Sequence, residues 1–110
     1  MSYGSKGEIV TPRYKLYPTE NIYILLKLDT ATGALWMVSY SMNTKSDAVE
    51  VALDSSSLLK SHEEQIAGRF ELYPTKNMFT FLLLDTVWGY TYQVQWSTKA
   101  NERFRMRIYE

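Results

Sequence analysis

"RYKLYPTENIYILLKLDTATG", residues 13–33, returns as "RFELYPTKNMFTFLLLDTVWG", residues 69–89. Aligned at an offset of 56, the stretches share eleven identities in twenty-one positions. Arg13 meets Arg69, the Leu16–Thr19 string meets Leu72–Thr75, and Asn21 meets Asn77. Leu26, Leu28, Asp29, Thr30 and Gly33 meet Leu82, Leu84, Asp85, Thr86 and Gly89. Chance does not produce this, so the chain holds an internal duplication.

The match continues more weakly. "ALWMVSYS" (34–41) lies over "YTYQVQWS" (90–97), and "VEVALD" (49–54) over "FRMRIY" (104–109) after one deletion. This gives one domain over 1–110, with repeat one at 13–54, a linker at 55–68 and repeat two at 69–110. Residues 1–10 read as a loose arm. The linker is polar, with one helical turn expected in "SHEEQIA" and a capping box of Ser61 and Glu64.

Each repeat reads as four short strands. Strand one ends in Pro-Thr, and "YPTxN" is a turn in which Pro fixes φ and Asn bonds nearby backbone. Strand two ends in "DTATG" or "DTVWG", a tight hairpin with Asp opening it and Gly taking positive φ. β-branched and aromatic residues with period-2 alternation fill the remainder.

Alternation divides the faces. Tyr92, Val94 and Trp96 share one, as do Trp36, Val38 and Tyr40, and Val49, Val51 and Leu53. In the last strand Phe104, Met106 and Ile108 oppose Arg103, Arg105 and Arg107, the arginines being expected in solvent. Strand two is apolar on both sides. With Met78, Thr80, Leu82 and Leu84 inward, Phe79, Phe81 and Leu83 would need separate cover, and a homodimer or larger oligomer built on repeat two is expected.

The fold class is therefore all-β: about eight antiparallel strands from two tandem four-stranded repeats. They close as a small barrel or a curled sandwich around a pseudo-two-fold axis. The barrel is favoured because it leaves no free edges.

The strings "LYPTKNMFTFLLLDT" and "YQVQWSTKANERFRM" resemble small tandem-repeat β proteins of anaerobic gut bacteria and their phages, over roughly residues 12–110. The resemblance brings no established activity and transfers no site.

Composition narrows the function. Twelve Lys and Arg balance twelve Asp and Glu, so the total favours neither long nucleic acid nor an anionic membrane. Cys is absent, which removes disulfides, thiolate catalysis and Cys-ligated metal. The first residues lack an apolar stretch and no apolar run reaches about twenty residues, so a soluble cytoplasmic protein is expected. The single His, His62, lies in the linker beside Glu63 and Glu64, where it suits neither a catalytic triad nor a metal site. Asp29 and Asp85 could do acid–base work if they shared a site, but opening a turn explains both. No catalytic group, metal or cofactor is expected.

Binding candidates are aromatic and basic. Trp88 stands at a hairpin tip where repeat one has Thr32, so the fold does not demand it. Phe79 and Phe81 belong to the surplus apolar face. Arg103, Arg105 and Arg107, with Arg13 and Arg69 and the neighbouring Tyr17 and Tyr73, could hold phosphates and stack a base. The sequence reads as a non-enzymatic binding protein contacting a partner protein or itself. The alternative is a protein sequestering a small nucleotide or metabolite, as phage-encoded counter-defence would require.

Overall fold

A computed structural model describes residues 10–43 and 47–110. The expected N-terminal arm lies almost wholly outside them. Eight strands form: β1 (Tyr14–Pro18), β2 (Ile24–Asp29), β3 (Leu35–Ser39), β4 (Val49–Asp54), β5 (Phe70–Pro74), β6 (Thr80–Asp85), β7 (Thr91–Gln95) and β8 (Phe104–Ile108). They make two antiparallel meanders, β1-β2-β3-β4 and β5-β6-β7-β8. Among the described residues no ladder joins the sheets, so the expected barrel does not close, and β1, β4, β5 and β8 remain edges. The closing ladder is missing because each repeat completes its own sheet; the sheets meet mainly through side chains, with one backbone bond from the Phe70 amide to the Thr30 carbonyl at 2.9 Å.

The turns do what their residues dictate. The Thr19 hydroxyl donates to the Ile24 carbonyl at 2.7 Å, and the Asn21 side-chain oxygen accepts from the Tyr23 amide at 2.9 Å. Thr75, Asn77, Phe79 and Thr80 repeat the arrangement at the same distances. In the β2–β3 hairpin Asp29 Oδ1 accepts from the Ala31 amide at 2.9 Å, and Gly33, at φ +83°, returns its amide to the Asp29 carbonyl at 2.8 Å. Asp85, Val87 and Gly89 repeat this in the β6–β7 hairpin. The linker forms turns without the expected helix; Glu63 Oε1 accepts from the Lys60 amide at 2.9 Å, while Ser61 and Glu64 form no cap.

The register determines which side chains share a face, since directly opposed residues point the same way. In the first sheet Leu26 opposes Met37, which opposes Val51. In the second, Leu83 opposes Tyr92, and Phe81 opposes Val94. The core joins these two sets: Ile24, Leu26, Leu28, Leu35, Met37 and Leu53 from the first sheet, and Phe70, Leu72, Phe81, Leu83, Tyr92, Val94 and Trp96 from the second.

These sets are not equivalent. The repeat-two counterparts of Leu26 and Met37 are Leu82 and Gln93, on the outer face; the repeat-one counterparts of Phe81 and Tyr92 are Leu25 and Trp36, also outer. The sheets stack front to back, and no two-fold axis relates them as expected. Several face assignments are corrected by the same cause. Phe81, at 3 % exposure, and Leu83 are core, so the surplus apolar face is covered from within the chain. Trp36, Val38 and Tyr40 turn outward. In β8 Arg105 and Arg107 point inward while Phe104, Met106 and Ile108 are exposed.

Candidate functional site

Each repeat carries one arginine–aspartate clamp across its first hairpin. Arg13 meets Asp29 through Nε and Nη2 at 3.0 Å each, and its Nη2 also reaches Gln65 Oε1 at 2.7 Å. Arg69 meets Asp85 through the same atoms at 2.9 Å each, and its Nη1 reaches Glu63 Oε2 at 3.1 Å. Burial alone would raise the Asp85 carboxyl, but the Arg69 guanidinium and the Val87 and Trp88 amides outweigh it and hold it below the usual carboxylate range. Asp29 is lowered in the same manner by Arg13 and the Ala31 amide. Both aspartates are thus committed to structure.

Glu63 extends the second clamp outward. Besides Arg69 and the Lys60 amide it accepts from Trp88 Nε1 at 2.9 Å, and Lys60 Nζ lies 3.9 Å from the centre of the Trp88 ring. The Lys60 amide, the Trp88 indole and Arg69 together lower its carboxyl to about 2. Trp88 remains 48 % exposed, stacked on Tyr90 at 6.4 Å between centroids and 17° between planes.

Tyr90 begins the site of interest. Its other neighbour is Arg107, whose guanidinium carbon is 3.5 Å from the Tyr90 ring centre and 4.5 Å from that of Tyr109. The Arg107 Nε is buried with no hydrogen-bond partner, and among the described residues no ion pair to Arg107 is formed. Beside it opens a cleft of about 410 Å³, lined by Trp88, Tyr90, Thr91, Arg107, Tyr109 and Glu110 among others. Thr32, Ala34, Ala52 and Asp54 hold the corresponding places in repeat one, so repetition of the fold does not account for this arrangement.

The remaining candidates scatter. Arg105, its side chain 5 % exposed, donates to the carbonyls of Gly33 at 2.9 Å and Ser56 at 3.0 Å and pairs with Asp54 at 3.5 Å. It fastens the second sheet to the first, and burial lowers its pKa despite Asp54. Arg103 caps the Ser97 carbonyl at 2.7 Å. The three arginines form no solvent stripe. Arg69 is buried in its clamp and Arg13 sits at the other hairpin end. Tyr17 is half-buried against the core, and burial pushes its hydroxyl up. Tyr73 is exposed and bonds Glu71. Phe79 is exposed and tilts against Trp96 at 5.0 Å. Of the ten candidates, Trp88 is shared by two groupings: it meets Arg69 through Glu63, and it lines the cleft with Arg107.

The sequence pointed to neither Tyr90 nor Tyr109 as partners of Arg107. A signal existed for one of them: Tyr109 lies two residues past Arg107 at the end of β8, which puts the two on one side of the strand. Among the described residues no helix is long and apolar enough to cross a membrane. No family model, curated protein or solved structure matches this chain.

Proposed function

We propose that this protein is a non-enzymatic binding protein whose ligand is a small phosphorylated molecule with a planar ring, a nucleoside monophosphate being the simplest. The observation that carries the reading is Arg107, held between Tyr90 and Tyr109 without an anionic partner at the edge of an open cleft. A guanidinium presents a planar fork of donors matched to phosphate oxygens. Trp88, 48 % exposed, offers ring surface at roughly 1–3 kcal/mol per stacked base, with the flexible Lys60 that lies over it giving way to the ligand. Glu110, on the same cleft, accepts hydrogen bonds, as ribose hydroxyls would supply. A volume near 400 Å³ falls within the range of small-molecule sites.

Titration calorimetry with AMP, adenosine and ribose 5-phosphate tests the reading. AMP should bind more tightly than either fragment, and Arg107→Ala should abolish the signal. Arg107→Lys should lose most of it, since a point charge cannot replace the fork. No heat with a panel of nucleoside monophosphates at millimolar concentration would sink the reading, as would equal binding by Arg107→Ala.

A further inference from the structure

The front-to-back packing has a feature that a two-fold sandwich lacks. In the interface within the chain, one face of the first sheet meets the opposite face of the second. The faces left outside are the counterparts of those two. The free face of the first sheet carries Tyr14, Leu16, Lys27 and Trp36, where the buried second-sheet face carries Phe70, Leu72, Leu83 and Tyr92. The free face of the second sheet carries Leu82, Leu84, Met106 and Ile108, where the buried first-sheet face carries Leu26, Leu28, Val51 and Leu53.

We infer that the chain associates with further copies of itself head to tail, the outer face of one copy's first sheet packing on the outer face of another's second sheet as the sheets do within the chain. The occupant follows from the molecule itself. Each free face has on the same chain a homologous face already packed, and the partner of that packed face is homologous to the other free face.

Both free faces present large apolar side chains. Leu16 is 57 % exposed and Met106 53 %, with Tyr14, Tyr23 and Tyr40 on the first and Phe104 and Ile108 on the second. The register is supplied too. Within the chain the Phe70 amide donates to the Thr30 carbonyl at 2.9 Å; between copies the equivalent bond runs from the Tyr14 amide to the Thr86 carbonyl. The charged residue at the centre, Lys27, arrives already neutralised: it pairs with Glu50 at 2.7 Å and lies 5.1 Å from the Trp36 ring centre.

The contact is weaker than its template. Thr80, Thr91, Gln93 and Gln95 stand where the first sheet has Ile24, Leu35, Met37 and Ser39. Pro12 stands at the Gly68 position and lacks the amide that Gly68 donates to Thr30 Oγ1. Four strands about 4.8 Å apart and five residues long at about 3.3 Å each give a small footprint. The association is therefore reversible and concentration-dependent. Because the surfaces differ, it does not stop at a dimer by symmetry.

Sedimentation velocity on the full chain, from about 10 µM to about 1 mM, reads this directly. The weight-average mass should climb with concentration and pass twice the monomer mass without a plateau there. Leu16→Asp blocks one face and Met106→Asp the other; both side chains are more than half exposed, so each variant should stay folded and remain a monomer alone. Mixed in equal amounts they have one good pair of faces, and should form a 1:1 dimer that grows no further. Tyr14→Asp serves as the second first-sheet variant should Leu16→Asp disturb the fold. A wild type still monomeric at the highest concentration, a dimer plateau that marks a closed symmetric pair, or a variant mixture that stays monomeric would each overturn the inference.

Discussion

Arg69 and Asp85 grip one another across the β5–β6 hairpin through two hydrogen bonds of 2.9 Å, with both side chains almost fully buried. The equivalent Arg13 and Asp29 make the same grip at 3.0 Å with the aspartate buried but the arginine 42 % exposed. One motif thus serves in two dielectric settings. In the buried copy, removing Arg69 leaves the Asp85 and Glu63 carboxylates without their cation where water barely reaches.

Arg69→Ala should therefore lower unfolding free energy by about 3–5 kcal/mol in urea titrations. Arg13→Ala should cost distinctly less, because Arg13 is itself 42 % exposed and its removal opens a path for water to the Asp29 carboxylate. Equal losses would show that exposure does not grade the two clamps.

The acid limb of stability should carry the signature of Glu63. Its folded pKa, about 2, lies below the value near 4.5 that it has when unfolded, so its contribution is full above pH 4.5 and fades as pH falls toward 2. Trp88 fluorescence of the folded protein should change at the low end of that window, near pH 2, as its indole loses the carboxylate acceptor. Glu63→Gln should flatten the change, and Trp88→Phe should remove it from the emission of Trp36 and Trp96.

Front-to-back stacking predicts opposite tolerance at homologous positions. Phe70 is fully buried and its counterpart Tyr14 is half in solvent. Phe70→Ala should cost about 3–5 kcal/mol. Tyr14→Ala should cost under about 1 kcal/mol, the usual scale for an exposed ring contact. Comparable losses at both positions would contradict the face assignment.

The two hairpin glycines should also separate. Both take positive φ, so alanine at either meets backbone strain of roughly 1–2 kcal/mol. A Cβ on Gly33 would also come within 2.6 Å of Leu58 and 3.4 Å of Phe70, whereas one on Gly89 meets nothing within 4 Å. Thermal melts should show Gly33→Ala as the more damaging change, with part of the difference returned by Leu58→Ala.

Much of the architecture is written in local chemistry. Pro18, Asn21, Asp29 and Gly33 specify their turns through their own φ preferences and side-chain acceptors, and turn positions behave alike in both repeats. Strand count and antiparallel pairing follow from them. Which face of each sheet is buried does not, because alternation reports two faces without saying which one meets the neighbour. In β6 and β8 both faces are apolar or carry long aliphatic stems, so Phe81 and Arg105 read equally well outward. The fading of the match after Gly33 held the missing signal: Leu35 and Met37 give way to Thr91 and Gln93 because that face changes from inside to outside. The Arg107 site eluded the sequence for a related reason, since a half-buried guanidinium lying on tyrosine rings looks, as a string, like one more solvated charge.

The repeats that began as copies can no longer stand in for one another. A recombination event writing repeat one over repeat two would put Lys27 where Leu83 fills the core, and the reverse event would put Gln93 in place of Met37. Either product should be destabilised by a polar side chain set into the core. An exchange that made the two repeats alike would therefore carry a folding cost, because the same position in the repeat answers to the core in one half and to the outer face in the other.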